Sequence, residues 1–244
     1  MPVQFYQVTS VGNRAVNQDS MVRIINDKYV LCAVADGLGG HRGGEQASRY
    51  FCQSLLALAP HYHQSMQYAP QATLTAWVGQ AVDDMYRLFS DDRVARAAYT
   101  TCAILYIDEQ RVVTAHCGDS RVYRLNVDKI LWRTQDHSIL QKKINRGEMT
   151  EQEMGAHPDQ NQLTRSINVL KEKSVEVITY PAAQKGETFV VCSDGFWVGV
   201  KAYEWLELAQ PESNGRLLAA IAEKVVLRAE GKSDNVSVQW LRCL

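Results

Sequence analysis

The amino-acid sequence predicts an α+β fold in which helices cover antiparallel β-sheets. Short runs rich in Val, Ile, Tyr and Cys recur along the chain between turn residues, as is typical of strands. Longer runs carry apolar residues at helical spacing. These strands and helices do not alternate one by one, as a doubly wound parallel sheet requires. Their order therefore favours antiparallel sheets with helices packed outside them.

The elements follow in the order strands, two helices, a run of strands, a short helical and irregular region, more strands, a helix and a last strand. The predicted strands are 3–9, 21–25, 29–35, 100–107, 111–116, 121–125, 175–179, 188–192 and 236–241. The predicted helices are 44–58, 71–89 and 215–228. The first helix has an apolar stripe that includes Phe51 and Leu55, and Glu45 in its first turn is favourable to the helix dipole.

Length and composition indicate one globular domain, spanning residues 1–244. A chain of 244 residues can bury one substantial core, and 46% hydrophobic and 22% charged residues are ordinary for such a protein. The formal net charge of −1 provides no general attraction for nucleic acid or anionic membranes. The first residues do not resemble a signal peptide, and no apolar run is long enough to span a membrane. We therefore expect a cytoplasmic protein that neither binds nucleic acid nor inserts into membranes. We also expect a monomer, although composition and charge do not determine the oligomeric state.

The cysteines agree with a reducing compartment. They are Cys32, Cys52, Cys102, Cys117, Cys192 and Cys243. Several lie within apolar strand-like runs, and no two form a C-x-x-C pair. Reduced, buried thiols are therefore favoured over disulfides or a zinc site.

Aspartates stand at the ends of several predicted strands, next to Gly, Ser or Asn. They are Asp19, Asp36, Asp119, Asp194 and Asp234. A carboxylate at a strand end projects from a rigid element into a loop, where a hydrated cation can reach it. Carboxylate, carbonyl and water oxygens are the ligands that Mg²⁺ and Mn²⁺ prefer. We therefore expect these carboxylates to converge on a divalent-cation site.

The glycine-rich segment after Asp36 has a second interpretation, because a strand, a glycine-rich turn and a helix also form dinucleotide sites. Its glycines, at positions 37, 39, 40 and 43, do not have G-x-G-x-x-G spacing. Asp36 would also place a negative charge beside a pyrophosphate. A metal site explains the same residues better, with Asp36 between two ions and the carbonyl of Gly37 near one of them.

Arg14 lies five residues before Asp19 in a polar segment. A surface ion pair would explain an isolated arginine equally well. Beside two metal ions, however, the planar guanidinium suits the oxygens of a phosphate group. Metals that activate a water, together with an arginine that neutralises phosphoryl charge, are sufficient for phosphoester hydrolysis.

In order and spacing, the motifs of this chain resemble those of the bacterial metal-dependent protein phosphatases of the PPM class, the type 2C Ser/Thr phosphatases. The matching segments are 14–19, 34–48, 100–103, 115–124, 136–138, 146–148, 157–158, 163–165, 192–195 and 233–236. The resemblance implies an α-β-β-α sandwich of two antiparallel sheets, with the metals in a cleft at one sheet edge. Two features of the chain, the Phe196-Trp197 pair and the lack of an added domain, resemble those of the stand-alone phosphatases associated with type VI secretion.

The resemblance implies metal-binding roles position by position. Asp36 would bridge two Mn²⁺ or Mg²⁺ ions, and Gly37 would bind one of them through its carbonyl. Asp194 and Asp234 would bind the other ion. Asp119 matches a carboxylate that, with Asp194, supports a third ion in bacterial members. The alternative for each aspartate is a turn cap, because Asp side chains commonly close turns. This alternative weighs most at Asp119.

The resemblance also implies catalytic roles. Asp19 matches the acidic position that holds metal-bound water, and Arg14 matches the arginine that binds the substrate phosphate. Gln18 replaces a Glu found in many members, and Leu38 replaces the His proposed as general acid in the eukaryotic enzymes. An aliphatic side chain cannot donate a proton. His41 resembles a His common in bacterial members and is the candidate for this role, although a structural role fits equally.

The expected activity is hydrolysis of phosphoserine and phosphothreonine in proteins by a metal-activated water, without a phosphoenzyme. The Cys-x5-Arg sequence of cysteine-based phosphatases is absent. The expected partners are phosphorylated proteins and a cognate Ser/Thr kinase, and residues 137–165 correspond to the flap beside the cleft in this family. Two alternatives are a hydrolase of small phosphoesters and a phosphoprotein-binding pseudophosphatase. Pseudophosphatases usually lack the metal carboxylates that this chain retains.

Overall fold

The computed structural model describes residues 2–38, 42–89, 97–155, 157–168 and 175–244. Two antiparallel sheets stack face to face, and helices cover both outer faces. This is the α-β-β-α sandwich implied by the sequence motifs, and the predicted α+β class is confirmed.

The strands are β1 (Val3–Ser10), β2 (Asp19–Ile25), β3 (Val30–Leu38), β4 (Tyr99–Thr100), β5 (Cys102–Ile107), β6 (Arg111–Cys117), β7 (Arg121–Leu125), β8 (Ile130–Arg133), β9 (Glu176–Pro181), β10 (Thr188–Cys192) and β11 (Val236–Cys243). The helices are α1 (Arg42–Tyr62), α2 (Pro70–Leu88), α3 (Ile139–Asn145), α4 (Glu151–Met154), α5 (Asp194–Trp197), α6 (Ala202–Ala209) and α7 (Gly215–Arg228), and a 3₁₀ turn covers Ser65–Gln67. One sheet has the order β1-β11-β10-β7-β8, and the other has the order β2-β3-β5-β6-β9 with β4 beside β3.

Alternation along the central strands explains why the sheets stack. In β3, Val30, Cys32 and Val34 belong to the core between the sheets, whereas Leu31 and Ala33 belong to the core under the helices. Successive side chains of a strand point to opposite faces. A strand buried on both faces therefore appears in the sequence as a continuous apolar run.

Each outer layer of helices closes a separate core. Phe51 of α1 and Trp77 of α2 are fully buried against one sheet, and Trp205 of α6 and Ile221 of α7 pack against the other. Full burial of such a side chain contributes about 1.5–3 kcal/mol. Of the helices in the described part of the chain, none combines the length and apolarity needed to cross a bilayer.

A buried ion pair fixes the start of β7. Arg121 is only 1% exposed, and its Nε and Nη2 donate to the two carboxylate oxygens of Asp136 at 2.6 and 2.7 Å. The guanidinium also lies 3.4 Å from the ring centroid of Trp197. Trp197 is therefore a packing residue of the interior, which resolves the choice that the sequence left open between a packing anchor and an exposed contact.

Some predicted boundaries were wrong. The predicted strand 100–107 is interrupted at Thr101, because the hydroxyl of Thr101, and not its carbonyl, accepts a hydrogen bond from the Asp36 N–H at 3.0 Å. β8 and α6 were not predicted, since each is too short for a clear periodic pattern. The segment expected as a flap contains the short helices α3 and α4.

Candidate metal centre

The ends of β2 and β3 bring two aspartates together. Asp19 lies directly opposite Asp36 in the antiparallel register, and side chains paired in this way lie on one face of the sheet. The start of α1 approaches the same strand end closely, because a Cβ on Gly37 would lie 2.1 Å from the main-chain oxygen of Gly44. Only glycine permits this approach. Gly37 thus allows the first turn of α1 to pack closely against the end of β3.

The other sheet supplies Asp194 and Asp234. Asp194 follows β10 and is 7% exposed, and Asp234 lies just before the neighbouring strand β11. A Cβ on Gly195 would lie 2.1 Å from the main-chain oxygen of Asn235. The absence of a side chain at Gly195 therefore lets the two segments touch, which brings both aspartates to one end of the sheet.

Ser193 connects the two sheets at this end. Its Oγ donates to Oδ2 of Asp19 at 2.7 Å and accepts from the main-chain N–H of Ser237 at 3.1 Å. Oδ1 of Asp19 and Oδ1 of Asp194 are buried, and neither has a hydrogen-bond partner among the residues that the structure describes. Buried polar atoms without partners are costly. These oxygens are therefore suited to a cation.

The carboxylates also repel one another. Burial, with repulsion between neighbouring aspartates, raises the pKa of Asp19 to about 7 and the pKa of Asp194 to about 6. Burial likewise raises the pKa of Asp36, with Asp19 as the largest like-charge contribution, and the pKa of Asp119, with Asp194 in that role. At neutral pH, protons or divalent cations must compensate this group of like charges.

Asp119 belongs to the same acidic cluster on the Asp194 side. It lies in the turn between β6 and β7, is 4% exposed, and interacts electrostatically with Asp194. Its main-chain oxygen accepts a hydrogen bond from Nε1 of Trp197 at 2.9 Å. Gly118 opens the turn with a φ of +101°, a conformation that glycine adopts readily.

This donor set fits hard divalent cations. The cluster offers carboxylate oxygens in excess of the hydrogen-bond donors around them, and two of those oxygens are buried without partners among the described residues. Mg²⁺ and Mn²⁺ prefer such oxygen ligands, whereas structural Zn²⁺ sites use Cys and His.

Arg14 lies at the rim of the cluster. Its Nη2 donates to Oδ2 of Asp234 at 2.8 Å, and 56% of its side chain is exposed to solvent. The guanidinium therefore contacts one candidate metal ligand and retains donors that face solvent. An anion entering the cleft can reach it.

Asn235 holds the loop that carries Arg14. Its Nδ2 donates to the main-chain oxygens of Val11 and Val16 at 2.9 and 3.0 Å, and its Oδ1 accepts from the N–H of Gln18 at 2.8 Å. Asn235 is 4% exposed. The sequence analysis did not assign a role to Asn235. Its hydrogen-bond partners are 217 to 224 residues away, so no local sequence pattern could have indicated that role.

A further group of potential ligands was not expected from the sequence. The candidate ligand atoms of His116, His137 and Glu176 lie within 4.8 Å of one another. The two imidazole rings are stacked, however, with centroids 4.5 Å apart and an interplanar angle of 11°, so their in-plane lone pairs do not converge. Nδ1 of His137 accepts from the N–H of Gly118 at 3.3 Å, which leaves the proton on its Nε2, facing Glu176. We therefore assign this group to support of the turn that carries Asp119.

An acidic cluster suited to divalent cations, with a guanidinium at its rim and set in an α-β-β-α sandwich, defines the class of metal-dependent phosphatases. Comparison with known families gives the same class, since the pattern of the Protein phosphatase 2C family matches residues 9–223. The chain belongs to this family. It is a metal-dependent protein Ser/Thr phosphatase of the Mn²⁺- or Mg²⁺-dependent type, and its substrates are phosphoproteins.

Individual proteins to which the chain is similar are also serine/threonine phosphatases. The chain is 28% identical over 219 residues to the serine/threonine phosphatase stp of Listeria innocua, covering 87% of this chain and 84% of that protein. The serine/threonine phosphatase PstP/Ppp of Mycobacterium tuberculosis has a similar structure, with a TM-score of 0.83, 25% identity and coverage of 99% and 98%. A PstP catalytic domain in complex with two manganese ions has a TM-score of 0.77, 25% identity and coverage of 98% and 97%.

The structure brings most of the predicted site residues to one place. Those at the cluster or its rim are Arg14, Asp19, Asp36, Gly37, Asp119, Asp194 and Asp234. His41 lies outside the described residues, and its catalytic role stays a prediction. Leu38, whose aliphatic side chain cannot act as a general acid, is the last residue of β3.

Proposed function

We propose that the acidic cluster is the catalytic site for phosphoserine and phosphothreonine in proteins. Asp36 and the main-chain oxygen of Gly37 would hold one divalent ion, and Asp36, Asp194 and Asp234 would hold a second. When bound, the ions supply activation of a water and neutralisation of phosphoryl charge. The observation that carries this proposal is the meeting of carboxylates from both sheets with buried oxygens that lack partners among the described residues.

Two residues would act on the substrate and the attacking water. Arg14 would bind the phosphoryl oxygens, because its guanidinium has five donors and only one is engaged with Asp234. Asp19 would orient the water, and the hydrogen bond from Ser193 fixes its carboxylate. His41 is our candidate for protonation of the leaving group, since Leu38 cannot donate a proton.

Asp119 would hold a third ion together with Asp194. Its burial and its electrostatic interaction with Asp194 support this role, because an isolated turn cap would not need to face a second buried carboxylate. The third ion would be the weakest of the three, since Asp194 already serves the core pair.

The domain organisation, oligomeric state and cellular compartment of the protein are also part of the proposal. We propose that residues 1–244 form one catalytic domain that acts as a monomer and reverses the work of a cognate Ser/Thr kinase in the cytoplasm. Six buried cysteines without disulfides are typical of reducing compartments. A link to type VI secretion, suggested by the Phe196-Trp197 motif, stays a prediction.

The proposal is tested by activity under metal control. We expect the chelated protein to be inactive, and Mn²⁺ to restore hydrolysis of an aryl phosphate and of a phosphothreonine peptide in the wild type but not in Asp194→Asn. Comparison with nucleotide substrates at equal concentration separates the alternative of a small-phosphoester hydrolase. Binding of phosphopeptide without turnover at any divalent metal would instead indicate a pseudophosphatase.

A further inference from the structure

We propose that the cleft beside the metal centre contains a subsite, formed by Lys201 and Lys232, for acidic side chains that flank the phosphorylated residue. The subsite rests on the proposed function, because it concerns the substrate of the same site. It predicts that acidic phosphoprotein segments are preferred.

The cleft is larger than a phosphoryl group requires. Its volume is about 1060 Å³, and it extends from Arg14, Asp194 and Asp234 to Trp205 and the start of α6. Pockets for whole small molecules occupy roughly 300–1,000 Å³. The cleft therefore has room for several residues of polypeptide beyond the phosphate.

Most charges along the cleft are already compensated. Glu151 accepts from Nη1 of Arg121 at 2.8 Å and from Nε of Arg133 at 2.6 Å. Arg228 is paired with the buried carboxylate of Glu204 at 2.6 Å. These groups satisfy one another, so the remaining charges decide which ligand the cleft attracts.

The remaining cations are Lys201 and Lys232. Both line the cleft and are exposed, and neither forms an ion pair with any residue described by the structure. Lys232 is two residues before Asp234, so their Cα atoms lie within about 7 Å of each other. The Lys232 backbone is thus beside the phosphate end of the cleft, whereas Lys201 precedes α6.

The described carboxylates that line the cleft would not offset the charge of these lysines. Glu151 is already paired with two arginines, and bound metal ions would neutralise Asp194 and Asp234. The apolar part of the lining includes Trp205. Charges of one sign between low-dielectric walls focus the electric field along a cleft. This combination favours a peptide with carboxylates beside its phosphorylated residue.

The test uses two phosphothreonine peptides of equal length, one with Asp and Glu on both sides of the phosphothreonine and one with Asn and Gln there. The enzymes are the Mn²⁺-loaded wild type, Lys201→Gln, Lys232→Gln and the double variant. Lys185→Gln is the matched control, because Lys185 is also exposed but lies in the turn before β10, at the end of that strand away from Asp194.

We expect the wild type to prefer the acidic peptide, chiefly through a lower KM. Each cleft substitution should lower kcat/KM for that peptide by roughly two- to fivefold, the range of exposed ion pairs. Losses on the neutral peptide and on an aryl phosphate should be smaller than the loss on the acidic peptide, and added salt should reduce the preference. Lys185→Gln should behave as the wild type.

Two results would overturn the subsite while leaving the proposed function intact: equal kcat/KM for both peptides in the wild type, or equal losses on both peptides in the lysine variants. If the Mn²⁺-loaded wild type hydrolyses neither the aryl phosphate nor any of the peptides, the proposed function is overturned, and the subsite with it.

Discussion

The side-chain oxygen of Asn235 accepts a hydrogen bond from the main-chain N–H of Gln18 at 2.8 Å, although 217 residues separate them. The same side chain donates to the main-chain oxygens of Val11 and Val16. These bonds tie the loop that carries Arg14 to the segment that carries Asp234. The candidate phosphate-binding group and a candidate metal ligand are therefore positioned together.

Asn235→Ala should raise KM for an aryl phosphate more than it lowers kcat, because the loop that presents Arg14 loses its support. The lost hydrogen bonds should also lower the free energy of unfolding by about 1–3 kcal/mol. Steady-state kinetics and denaturant unfolding measure these effects. In an Arg14→Ala background the same change should raise KM little further, as expected for residues that act together.

Asn26→Ala is the control for this prediction. Asn26 accepts hydrogen bonds from the N–H groups of Lys28 and Tyr29 in the turn between β2 and β3, at the end of those strands away from Asp19. Its loss should affect stability and leave KM unchanged. If the effects of Asn235→Ala and Arg14→Ala on KM simply add, the positioning role is contradicted.

Arg14→Ala should lower kcat/KM by about 10- to 100-fold, since hydrogen bonds to charged groups contribute roughly 1.5–3 kcal/mol. Stability should change by less than about 1 kcal/mol, because the pair with Asp234 is exposed. Arg14→Lys should be intermediate, as an ammonium cannot bind two phosphate oxygens in the same plane. Equal kcat/KM for all three proteins would remove Arg14 from substrate binding.

Asp194→Asn should weaken Mn²⁺ binding and yet stabilise the metal-free protein. Ionisation of a buried carboxyl whose pKa is raised to about 6 opposes folding at pH 7.5, and its removal should add on the order of 1–3 kcal/mol to the free energy of unfolding. The measurement is denaturant unfolding in the presence of a chelator.

Asp136→Asn provides the opposite result at another buried aspartate. It breaks the pair with Arg121, so stability should fall by roughly 3–5 kcal/mol. A loss of stability in metal-free Asp194→Asn similar to that of Asp136→Asn would show that burial and like charges do not destabilise the ionised Asp194 carboxylate.

Mn²⁺ affinity should rise with pH between about 5 and 7. The folded-state pKa values of Asp19 and Asp194, about 7 and about 6, lie above the ordinary value of 3.8. Their contribution to the stability of the metal-free fold is therefore fully present below pH 3.8 and is lost as the pH rises through these values. Metal binding must displace the same protons.

Titration calorimetry at pH 6 in buffers of different ionisation enthalpy should therefore show proton release on Mn²⁺ binding. Asp19→Asn should release fewer protons. Binding enthalpies that do not depend on the buffer would contradict the raised pKa values.

His41→Ala should lower kcat modestly for a phosphopeptide and hardly at all for an aryl phosphate. An aryl oxide leaves without much protonation, whereas a serine alkoxide needs a proton donor. Parallel kinetics on both substrates measure this difference. A loss on the aryl phosphate as large as that of Asp194→Asn would exclude the role of leaving-group acid.

Local patterns predicted much of the fold. The apolar run of β3 and the helical stripe around Phe51 were readable because strand alternation and helical periodicity involve near neighbours. The break at Thr101 was not readable, because it depends on a hydrogen bond to Asp36, which comes from another strand. β8 was missed since four residues carry too little pattern.

By itself, the sequence determined the α+β class with helices over antiparallel sheets, the aspartates at strand ends and the presence of Arg14, because each depends on residue type and local order. The sandwich arrangement was implied only by the resemblance to a known family. The tertiary structure alone decided that Asp19 lies opposite Asp36, that an oxygen of Asp194 is buried without a partner among the described residues, and that Asn235 supports the Arg14 loop. These relationships join distant segments. Their distances depend on strand register and on how the two sheets stack, which no local pattern of residues specifies.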